Sequence, residues 1–397
     1  MTMEPVTQCL TEKGNQERNS YQTGFVRWRA AEDGFASWEL NGVAVNASGE
    51  IEFLETTATS GTDPYAPGTY NGHNYYNGGN FFVGEATSPV IKSTFNFKHA
   101  IASWNAATPK GTWIEIQFRA RFDRRWSKWY SLGIWAQDNS TIERHSVKGQ
   151  EDSDGTVADD TFVVKNNEVA TYKFQLKIRL FSADGKGIAK VRNVSVAYST
   201  TIPSSATVSA GNSALWNTLL DVPSYSQMVY PDGGDVWCSP TSVSMVLAFW
   251  NKDTSPCEPR VRATVSGVYD WVYDGHGNWS FNAAYAYTQG YEAYIARLNS
   301  LAQAEEYIAA GVSLILSAAW KEGELTNPAT HSTNGHLLVL VGFDREGNLI
   351  VSDPAAPTDA GVRRVYLRSE FEPLWLKSSG GTVYLIYPQG LTVPVLP

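Results

Sequence analysis

The sequence predicts a protein of two domains, an all-β sandwich of jelly-roll type followed by an α+β domain. Three observations support this prediction. The chain has 397 residues, a length that suits two domains. Strand patterns dominate residues 23–199, and mixed helix and strand patterns follow from residue 215. Between them, residues 200–214 are rich in Ser, Thr, Ala, Gly and Pro, a composition typical of a linker. Residues 1–22 precede the first strand and are predicted to be a flexible lead, and residues 215–397 are the second domain.

The strands of the first domain are predicted from alternating apolar and polar side chains, the period of a strand with one buried face. The longest run is TWIEIQFRARF at residues 112–122, where the even-numbered positions from Ile114 onward are apolar. The same pattern recurs in FVRWRA (25–30), YKFQLKIRLF (172–181) and VRNVSVAYS (191–199). Since few helical patterns intervene, we expect two antiparallel sheets packed together, with polar outer faces.

The composition fits a globular protein and excludes several kinds of partner. Hydrophobic residues make up 43% of the chain and charged residues 18%, which predicts a packed core. The formal net charge is -9 and the basic residues are scattered, so we expect no binding to nucleic acid or to anionic membranes. No apolar run approaches the roughly 20 residues that a membrane span needs. No motif for a cofactor is present, and none is predicted.

The second domain opens with a predicted helix in SPTSVSMVLAFW, at residues 239–250, where apolar residues recur with helical spacing. Ser239 is a candidate cap for this helix, and Pro240 suits its first turn because proline lacks an N–H. The same reasoning predicts further elements along the chain: a helix at 300–310 ended by Gly311, and strands at 312–320, 336–344 and 348–354, the last two joined as a hairpin.

An isolated thiol lies directly before the first helix of this domain. The spacing of Cys9, Cys238 and Cys257 fits neither a zinc site nor a disulfide framework. Cys238 comes just before residues 239–250, and the free N–H groups and dipole of a helix N-terminus stabilise a thiolate. On this feature alone, Cys238 fits a reactive thiol or a buried structural cysteine.

A nucleophilic thiol needs an imidazole, and acyl transfer also needs donors for an oxyanion. In the second domain, His276 and His331 lie in polar, loop-like stretches, whereas His336 opens an apolar strand. Gln227 precedes Cys238 by eleven residues, and its side-chain amide could act beside the Cys238 backbone N–H. These residues are the candidates for the base and the oxyanion donors.

The predicted hairpin brings a carboxylate to His336. If Phe343 pairs with Asn348, then His336 and Asp353 are diagonal neighbours on one face, with Cβ atoms roughly 7–8 Å apart. A shift of one residue would place them on opposite faces. The pattern therefore favours an Asp353 that orients His336, and the alternative is that Asp353 only caps a turn before Pro354.

Four stretches together resemble a known family: VPSYSQ (222–227), GGDVWCSPTSVSMVLAFW (233–250), NGHLLVLVGFD (334–344) and NLIVSDP (348–354). In order and context they are similar to the cysteine peptidases related to bacteriocin-processing, double-glycine-leader enzymes, which share the papain-like fold. The resemblance covers residues 219–387. It implies that Cys238 is the nucleophile, His336 the general base and acid, Asp353 the orienting residue and Gln227 an oxyanion donor. The chain departs from many relatives by having Cys-Ser-Pro in place of Cys-Gly-Pro.

The resemblance implies a bacterial, secreted cysteine peptidase or amide hydrolase that acts through an acyl-enzyme, with no metal or other cofactor. Its partner would be a peptide or protein substrate, with cell-wall peptide as one candidate. Two alternatives stay open: an idle papain-like domain beside a glycan- or peptide-binding sandwich, and acyl transfer to an amine, as in transglutaminase-like enzymes. The resemblance implies an extracellular or cell-surface location. A cytoplasmic location also stays open, because residues 1–22 hold no apolar signal segment.

Three further features are weighed against ordinary explanations. The acidic loop EDSDGTVADD (151–160) could bind calcium, although its spacing differs from that of an EF-hand. The aromatic cluster WSKWYSLGIW (126–135) could be a glycan platform, but core packing is favoured. Zinc held by His331, His336 and Asp353 is less favoured than a Cys–His site. We therefore predict no metal site.

Overall fold

The computed structural model describes residues 21–62, 75–76, 79–165 and 171–396. Residues 1–20, which include Cys9 and nearly all of the predicted lead, lie outside the described residues. The predicted fold class is confirmed, because an all-β sandwich is followed by a domain of mixed helices and strands. In the described part of the chain, no helix has the length and hydropathy of a membrane-spanning segment.

The sandwich is built from two antiparallel sheets. One has the strand order β12-β13-β8-β15-β4-β3, with β1 beside β15, and the other has the order β10-β9-β14-β6-β2, with β11, β5 and β7 along its sides. Its strands are β1 (Thr23–Arg29), β2 (Glu39–Asn41), β3 (Val43–Val45), β4 (Ile51–Phe53), β5 (Thr59–Thr62), β6 (Asn80–Thr87), β7 (Ile91–Lys92), β8 (His99–Ala107), β9 (Thr112–Phe122), β10 (Arg125–Trp126), β11 (Tyr130–Trp135), β12 (Gly155–Ala158), β13 (Thr161–Val164), β14 (Thr171–Ser182) and β15 (Lys190–Ser199).

The sandwich core follows the predicted alternation of β9. The apolar positions of this strand, from Ile114 to Phe122, are buried between the two sheets. Alternation places Trp113 on the polar face of β9, but this side chain is also fully buried. It stacks on Phe181 of β14, with ring centroids 5.0 Å apart. A second, smaller core thus lies on the outer side of this sheet.

The polar outer faces of the sandwich are expected to meet solvent. In the structure, the second domain covers the outer face of the β8–β15 sheet. Every residue of β8 between Ala100 and Ala106 is buried. The Asn105 side chain donates a hydrogen bond to Ala293 O at 2.7 Å, and the Ile295 N–H donates one to Ser103 Oγ at 3.0 Å. The polar residues that alternation assigns to solvent therefore bind backbone groups of the second domain.

The second domain is an antiparallel sheet with helices on both faces. The sheet order is β17-β22-β18-β19-β20-β21, with β16 beside β19. Its strands are β16 (Thr218–Leu219), β17 (Tyr291–Arg297), β18 (Leu314–Trp320), β19 (Thr333–Phe343), β20 (Leu349–Ser352), β21 (Arg363–Tyr366) and β22 (Thr382–Pro388). Its helices are α1 (Cys238–Asn251), α2 (Glu258–Val268), α3 (Trp279–Thr288), α4 (Leu301–Ala309) and α5 (Arg368–Ser379).

Alternation along the strands assigns each helix to a face of this sheet. In β19, Val339 and Val341 share a core with α1, whereas Leu338 and Leu340 share a core with α4 and α5. The period of a strand sends successive side chains to opposite faces, so both faces of a buried strand must be apolar. This explains the continuous run LLVLV after His336.

The N-terminus of α1 differs from the prediction in one respect. The helix begins at Cys238, and Ser239 does not cap it; the Ser239 hydroxyl instead pairs with the Tyr384 hydroxyl at 2.9 Å. Residues 239–248 are all buried, so α1 is enclosed on every side there and not along one stripe only. Ser239 therefore anchors the start of the helix to the sheet.

The hairpin register differs from the prediction near its turn. Phe343 pairs with Leu349 and not with Asn348, so the predicted pairing there is wrong. A bulge between Leu340 and Gly342 then shifts the register by one residue, and Leu340 pairs with Val351. The bulge restores the predicted register at the end of the hairpin that carries His336.

The aromatic cluster at 126–135 is largely accounted for by packing. Trp135 is fully buried. The guanidinium of Arg119 lies over the rings of both Trp126 and Trp129, at 4.5 and 4.4 Å from their centroids. Arg119 also donates to Gln175 on the neighbouring strand. The two partly exposed tryptophans are thus part of a cation–π stack on the sheet.

A buried carboxylate links the two domains. Glu292, at the start of β17, is 3% exposed and accepts hydrogen bonds from Arg27 at 2.8 Å and Arg29 at 3.1 Å, both in β1. Burial alone would raise the pKa of Glu292, but the charges of the two arginines lower it below its usual value.

Glu292→Gln is therefore expected to destabilise the protein by about 3 kcal/mol, because it removes the buried counter-charge of Arg27 and leaves Arg29 with only the more exposed Glu32. Urea unfolding at neutral pH measures this loss. The matched control is Glu324→Gln, which removes a more exposed pair with Lys377 and should change the free energy of unfolding much less. The pKa of Glu292 is lowered in the folded protein, so its stabilising effect is present above the unfolded-state pKa and is lost as the carboxylate is protonated. The difference in the free energy of unfolding between wild type and Glu292→Gln should therefore shrink below about pH 4. Equal losses in both variants would contradict this account.

Candidate active site

Cys238 is the first residue of α1. The N-terminal N–H groups of this helix have no side-chain cap, so the thiol lies at the positive end of a helix dipole. The residue is partly exposed. The preceding residue, Trp237, is buried and fixes the entry into the helix.

His336 and Asp353 are joined by a hydrogen bond in a buried setting. His336 lies in β19 and is 4% exposed, and Asp353 follows directly after β20 and is fully buried. His336 Nε2 lies 2.7 Å from Asp353 Oδ1. Since Nε2 faces the carboxylate, Nδ1 is the nitrogen left to interact with the Cys238 thiol, which contacts the imidazole. The structure thus brings together the three residues that the sequence singles out as a possible triad.

Sequence reasoning missed two aromatic side chains at this site. Tyr366 donates a hydrogen bond to Asp353 Oδ2 at 2.6 Å, while the Ala355 N–H donates to Oδ1 at 3.0 Å. The Trp320 ring stands edge-on to the His336 imidazole, with centroids 5.6 Å apart. No local motif marks Tyr366 or Trp320, because only the pairing of β18, β19, β20 and β21 brings them to the site.

The electrostatics of the three groups favour a charged thiolate and a charged imidazole. Burial opposes ionisation of His336, but Asp353 and Cys238 outweigh it and raise the pKa of the imidazole to about 10. Burial likewise opposes ionisation of Asp353, but the charge of His336 lowers the pKa of that carboxyl below its usual range. For Cys238, burial is again outweighed by the hydrogen bond and charge of His336, which lower the pKa of the thiol. These shifts all favour a thiolate–imidazolium pair beside a carboxylate.

Gln227 lies in a short 3₁₀ turn, Gln227–Val229, and is buried. Its Nε2 donates a hydrogen bond to Gly234 O at 2.8 Å, in the loop that leads to Cys238. Its backbone N–H donates to Pro354 O at 2.9 Å, in the residue after Asp353. Gln227 is thereby tied both to the loop before the thiol and to the loop that carries the carboxylate.

Gly234 is required for this arrangement. A Cβ added at Gly234 would lie 2.0 Å from the Gln227 carbonyl oxygen. Because that contact is with backbone, it cannot be relieved by a change of rotamer. Glycine at 234 therefore permits the close approach that orients the Gln227 amide.

The remaining candidates have other surroundings. His331 is exposed, and His276 lies against Trp237 with ring centroids 6.2 Å apart. In the acidic loop, Asp152 accepts a hydrogen bond from Tyr130, whereas Asp154 pairs with Arg125 and Glu151 with Lys165. Among the described residues, no group of three or more His, Cys, Asp or Glu side chains is placed to hold a metal ion.

The fold and this arrangement define a protein of the cysteine-peptidase-like class. The model of the family described as "Peptidase C39 N-terminal domain" matches residues 24–199, and that of the "Peptidase_C39 like family" matches residues 219–383. The two matches lie in the sandwich and in the α+β domain. Together the two matches span both domains and confirm the resemblance to the C39-related family found in the sequence.

The other comparisons add little. A search of curated proteins found no match. Among solved structures, the chain is similar to one described as "xylan-binding module CBM15", with 13% identity, 45% of this chain and 97% of that chain covered, and a TM-score of 0.20. It is also similar to the kappa-carrageenase from Pseudoalteromonas carrageenovora, crystallised with an oligotetrasaccharide of kappa-carrageenan. The identity is 13%, the match covers 50% of this chain and 100% of that chain, and the TM-score is 0.21. At these scores, neither likeness bears on the fold or the function of this chain.

The lowered pKa of Cys238 predicts fast alkylation at acid pH. At about pH 6, iodoacetamide should label Cys238 at least about tenfold faster than Cys257 of the same molecule, as measured by peptide mapping. Cys257 is a free thiol of similar exposure and serves as the internal control. His336→Ala removes the positive charge and should slow Cys238 labelling towards the rate of Cys257. Equal labelling of the two thiols in the wild type, unchanged by His336→Ala, would contradict the ion pair.

Proposed function

We propose that the protein is a cysteine peptidase that hydrolyses amide bonds in a peptide or protein. In this proposal Cys238 is the nucleophile, His336 the general acid and base, and Asp353 the residue that orients the imidazole. The observation that supports it best is the buried 2.7 Å hydrogen bond between His336 and Asp353, beside a thiol at a helix N-terminus. A buried charged pair adds little to stability, because the cost of removing the charges from water offsets their attraction. A binding domain would therefore gain little stability from keeping this set of groups.

The proposed reaction begins when the Cys238 thiolate attacks the carbonyl carbon of the scissile bond. A C–S bond forms and the carbonyl oxygen takes the negative charge. As the C–N bond breaks, His336 gives its proton to the leaving amine, and an acyl-enzyme remains. Water then attacks the thioester and gives a proton to His336. The C–S bond breaks, which releases the acid and restores the thiolate–imidazolium pair. Asp353 stays ionised throughout, in keeping with its lowered pKa.

The proposed oxyanion donors are the backbone N–H of Cys238 and the side-chain amide of Gln227. Nε2 of Gln227 carries two hydrogens, and one of them donates to Gly234 O at 2.8 Å. The second hydrogen is left for the oxyanion. Donors fixed in advance in this way stabilise the charge that develops in the transition state without further reorganisation.

Acyl transfer to an amine would share every step as far as the acyl-enzyme. The two reactions differ only in whether water or an amine takes the acyl group. A catalytically idle domain would form no acyl-enzyme. One experiment can therefore distinguish among the three. The proteome-derived peptides represent a free polypeptide substrate, and cell-wall peptides are added to the same library so that the experiment covers both candidate substrates.

The experiment incubates the full chain with a proteome-derived peptide library in heavy-oxygen water that contains glycine amide. Hydrolysis predicts new carboxyl termini that carry heavy oxygen, detected by mass spectrometry. Acyl transfer predicts termini that carry glycine amide instead. Neither product should form with Cys238→Ala, which serves as the control. New termini in equal amounts with Cys238→Ala, or none with the wild type, would refute the peptidase proposal.

Gln227→Ala should lower kcat by about 10²–10³-fold because one oxyanion donor is lost. Gly234→Ala should also lower kcat, because the added Cβ displaces the Gln227 backbone. Both variants should leave iodoacetamide labelling of Cys238 at acid pH unchanged, since neither residue belongs to the ion pair. Gly361→Ala is the matched control, because a Cβ there meets its nearest neighbour at an ordinary 3.5 Å. A normal kcat in Gln227→Ala would remove Gln227 from the proposed oxyanion site.

A further inference from the structure

A cleft of about 290 Å³ is lined in part by Trp237, the residue directly before the Cys238 thiol. The second domain supplies most of its lining, and Asn139 of the sandwich forms one edge. This volume is at the lower end of the range for small-molecule sites and suits one or two side chains. The aromatic residues of its wall are Trp237, Tyr269, Trp271 and His276.

The cleft adjoins the nucleophile. Trp237 directly precedes Cys238, and its ring contacts His276 in the loop 269–278. His276 and Trp237 both line the cleft, so the residue before the nucleophile and the loop 269–278 meet in its wall. The cleft wall is thus continuous in the chain with the nucleophile.

Large apolar side chains are exposed around this point. Trp271 is 39% exposed and Tyr273 is 40% exposed, and Val236, two residues before the thiol, is 61% exposed. Single exposed apolar residues are common, but here Trp271 lines the cleft while Tyr273 and Val236 are close in the chain to lining residues, and such a group indicates a binding surface.

The charges of the cleft do not suit an anionic ligand. Arg262, which lines it, is paired with Asp232 at 2.6 Å and with Glu258 at 2.7 Å. Burial lowers the pKa of His276 to about 4, so the imidazole is neutral at physiological pH. The wall therefore offers aromatic faces and a neutral imidazole, with its one guanidinium already neutralised.

The sandwich domain holds the loop of this cleft in place. Asp270 Oδ1 accepts hydrogen bonds from the N–H groups of Val272 and Tyr273, both at 3.0 Å, and from Ser146 of the sandwich at 2.9 Å. Arg144, a buried residue of the sandwich, donates to Ser266 O at 2.9 Å. The loop is thus fixed before any ligand arrives, which lowers the entropy cost of binding.

We propose that this cleft is a substrate subsite that takes a bulky apolar side chain, above all an aromatic one, and that the sandwich domain completes it. The subsite rests on the proposed peptidase function, because it assigns a preference to the substrate of that activity. Trp271 and Tyr269 would pack against the side chain, and Asn139 would limit the depth of the cleft.

The test uses tripeptidyl chloromethyl ketones, which alkylate the thiol as its sulfur bonds to the methylene carbon and chloride leaves. The parent reagent contains three glycines. Three further reagents carry phenylalanine at the first, second or third residue from the reactive carbon. The second-order rate constant for modification of Cys238 is measured by intact mass and peptide mapping. At one of the three positions, phenylalanine should raise the rate at least about tenfold over glycine, the size of effect that an apolar pocket gives.

Trp271→Ala should reduce this phenylalanine-to-glycine ratio about tenfold, because it removes one wall of the cleft. Two control variants should keep the ratio. Tyr172→Ala removes an aromatic side chain of similar exposure, 42%, on the sandwich. Val229→Ala alters a second cavity of about 580 Å³, which shares Arg262 with the cleft and which Val229 lines on the side of Tyr225 and Tyr230.

The outcomes separate this proposal from the function on which it rests. If no reagent modifies Cys238 faster than it modifies Cys257, the proposed function fails. If Cys238 reacts selectively but phenylalanine has no advantage at any position, the function stands and the subsite is refuted. Loss of the ratio in Val229→Ala but not in Trp271→Ala would also overturn the proposal, because the side chain would then bind in the larger cavity.

Discussion

The hydrogen bond between His336 Nε2 and Asp353 Oδ1 is the interaction on which the rest of the site depends. A fully buried carboxylate is costly unless its oxygens are paired. Both carboxylate oxygens of Asp353 are paired. His336 and the Ala355 N–H occupy Oδ1, and the Tyr366 hydroxyl occupies Oδ2. The carboxylate can stay ionised only in this setting, and its charge is the main cause of the raised pKa of His336. The charged imidazole in turn lowers the pKa of Cys238.

The sandwich domain helps to position elements of the second domain. Its Asp160, from the acidic loop 151–160, is buried and accepts a hydrogen bond from the Trp279 N–H at 2.7 Å, at the first turn of α3. Burial raises the pKa of Asp160 to about 7. Other sandwich residues hold the backbone of β17 and the loop around Asp270. The start of α3, the strand β17 and the loop around Asp270 are therefore positioned by contacts between the two domains, and the acidic loop owes part of its composition to this interface.

Local patterns in the sequence predicted the elements well, and the interactions between elements less well. The alternation in β9, the end of α4 near Gly311 and the start of α1 at the thiol were all open to prediction, because each depends on residues adjacent in the chain. The meeting of His336 with Asp353 could be expected from the hairpin, although the pairing assumed at Phe343 is wrong. The bulge before Gly342 compensates for that error, and bulges leave no reliable mark in a single sequence.

What could not be predicted depends on contacts between distant parts of the chain. Tyr366 and Trp320 reach the site only through strand pairing across the sheet. Ser239 resembles a helix cap, but Tyr384, 145 residues away, takes its hydroxyl. Ser103 and Asn105 would be polar whether their face of β8 met water or another domain. The alternation of β8 therefore cannot distinguish the two situations. Only the position of the second domain shows that these side chains bind a backbone and not water.

The most direct test of the central claim is the pH titration of the thiolate ultraviolet absorbance of Cys238. It is measured as the difference between the wild type and Cys238→Ser, so that other groups cancel. The account predicts a thiolate that persists well below the usual thiol pKa of about 8.5, and a titration that moves to higher pH in Asp353→Asn, because the imidazole loses its counter-charge. An ordinary thiol titration near that value, the same in both backgrounds, would show that Asp353, His336 and Cys238 are not electrostatically coupled and would contradict the account.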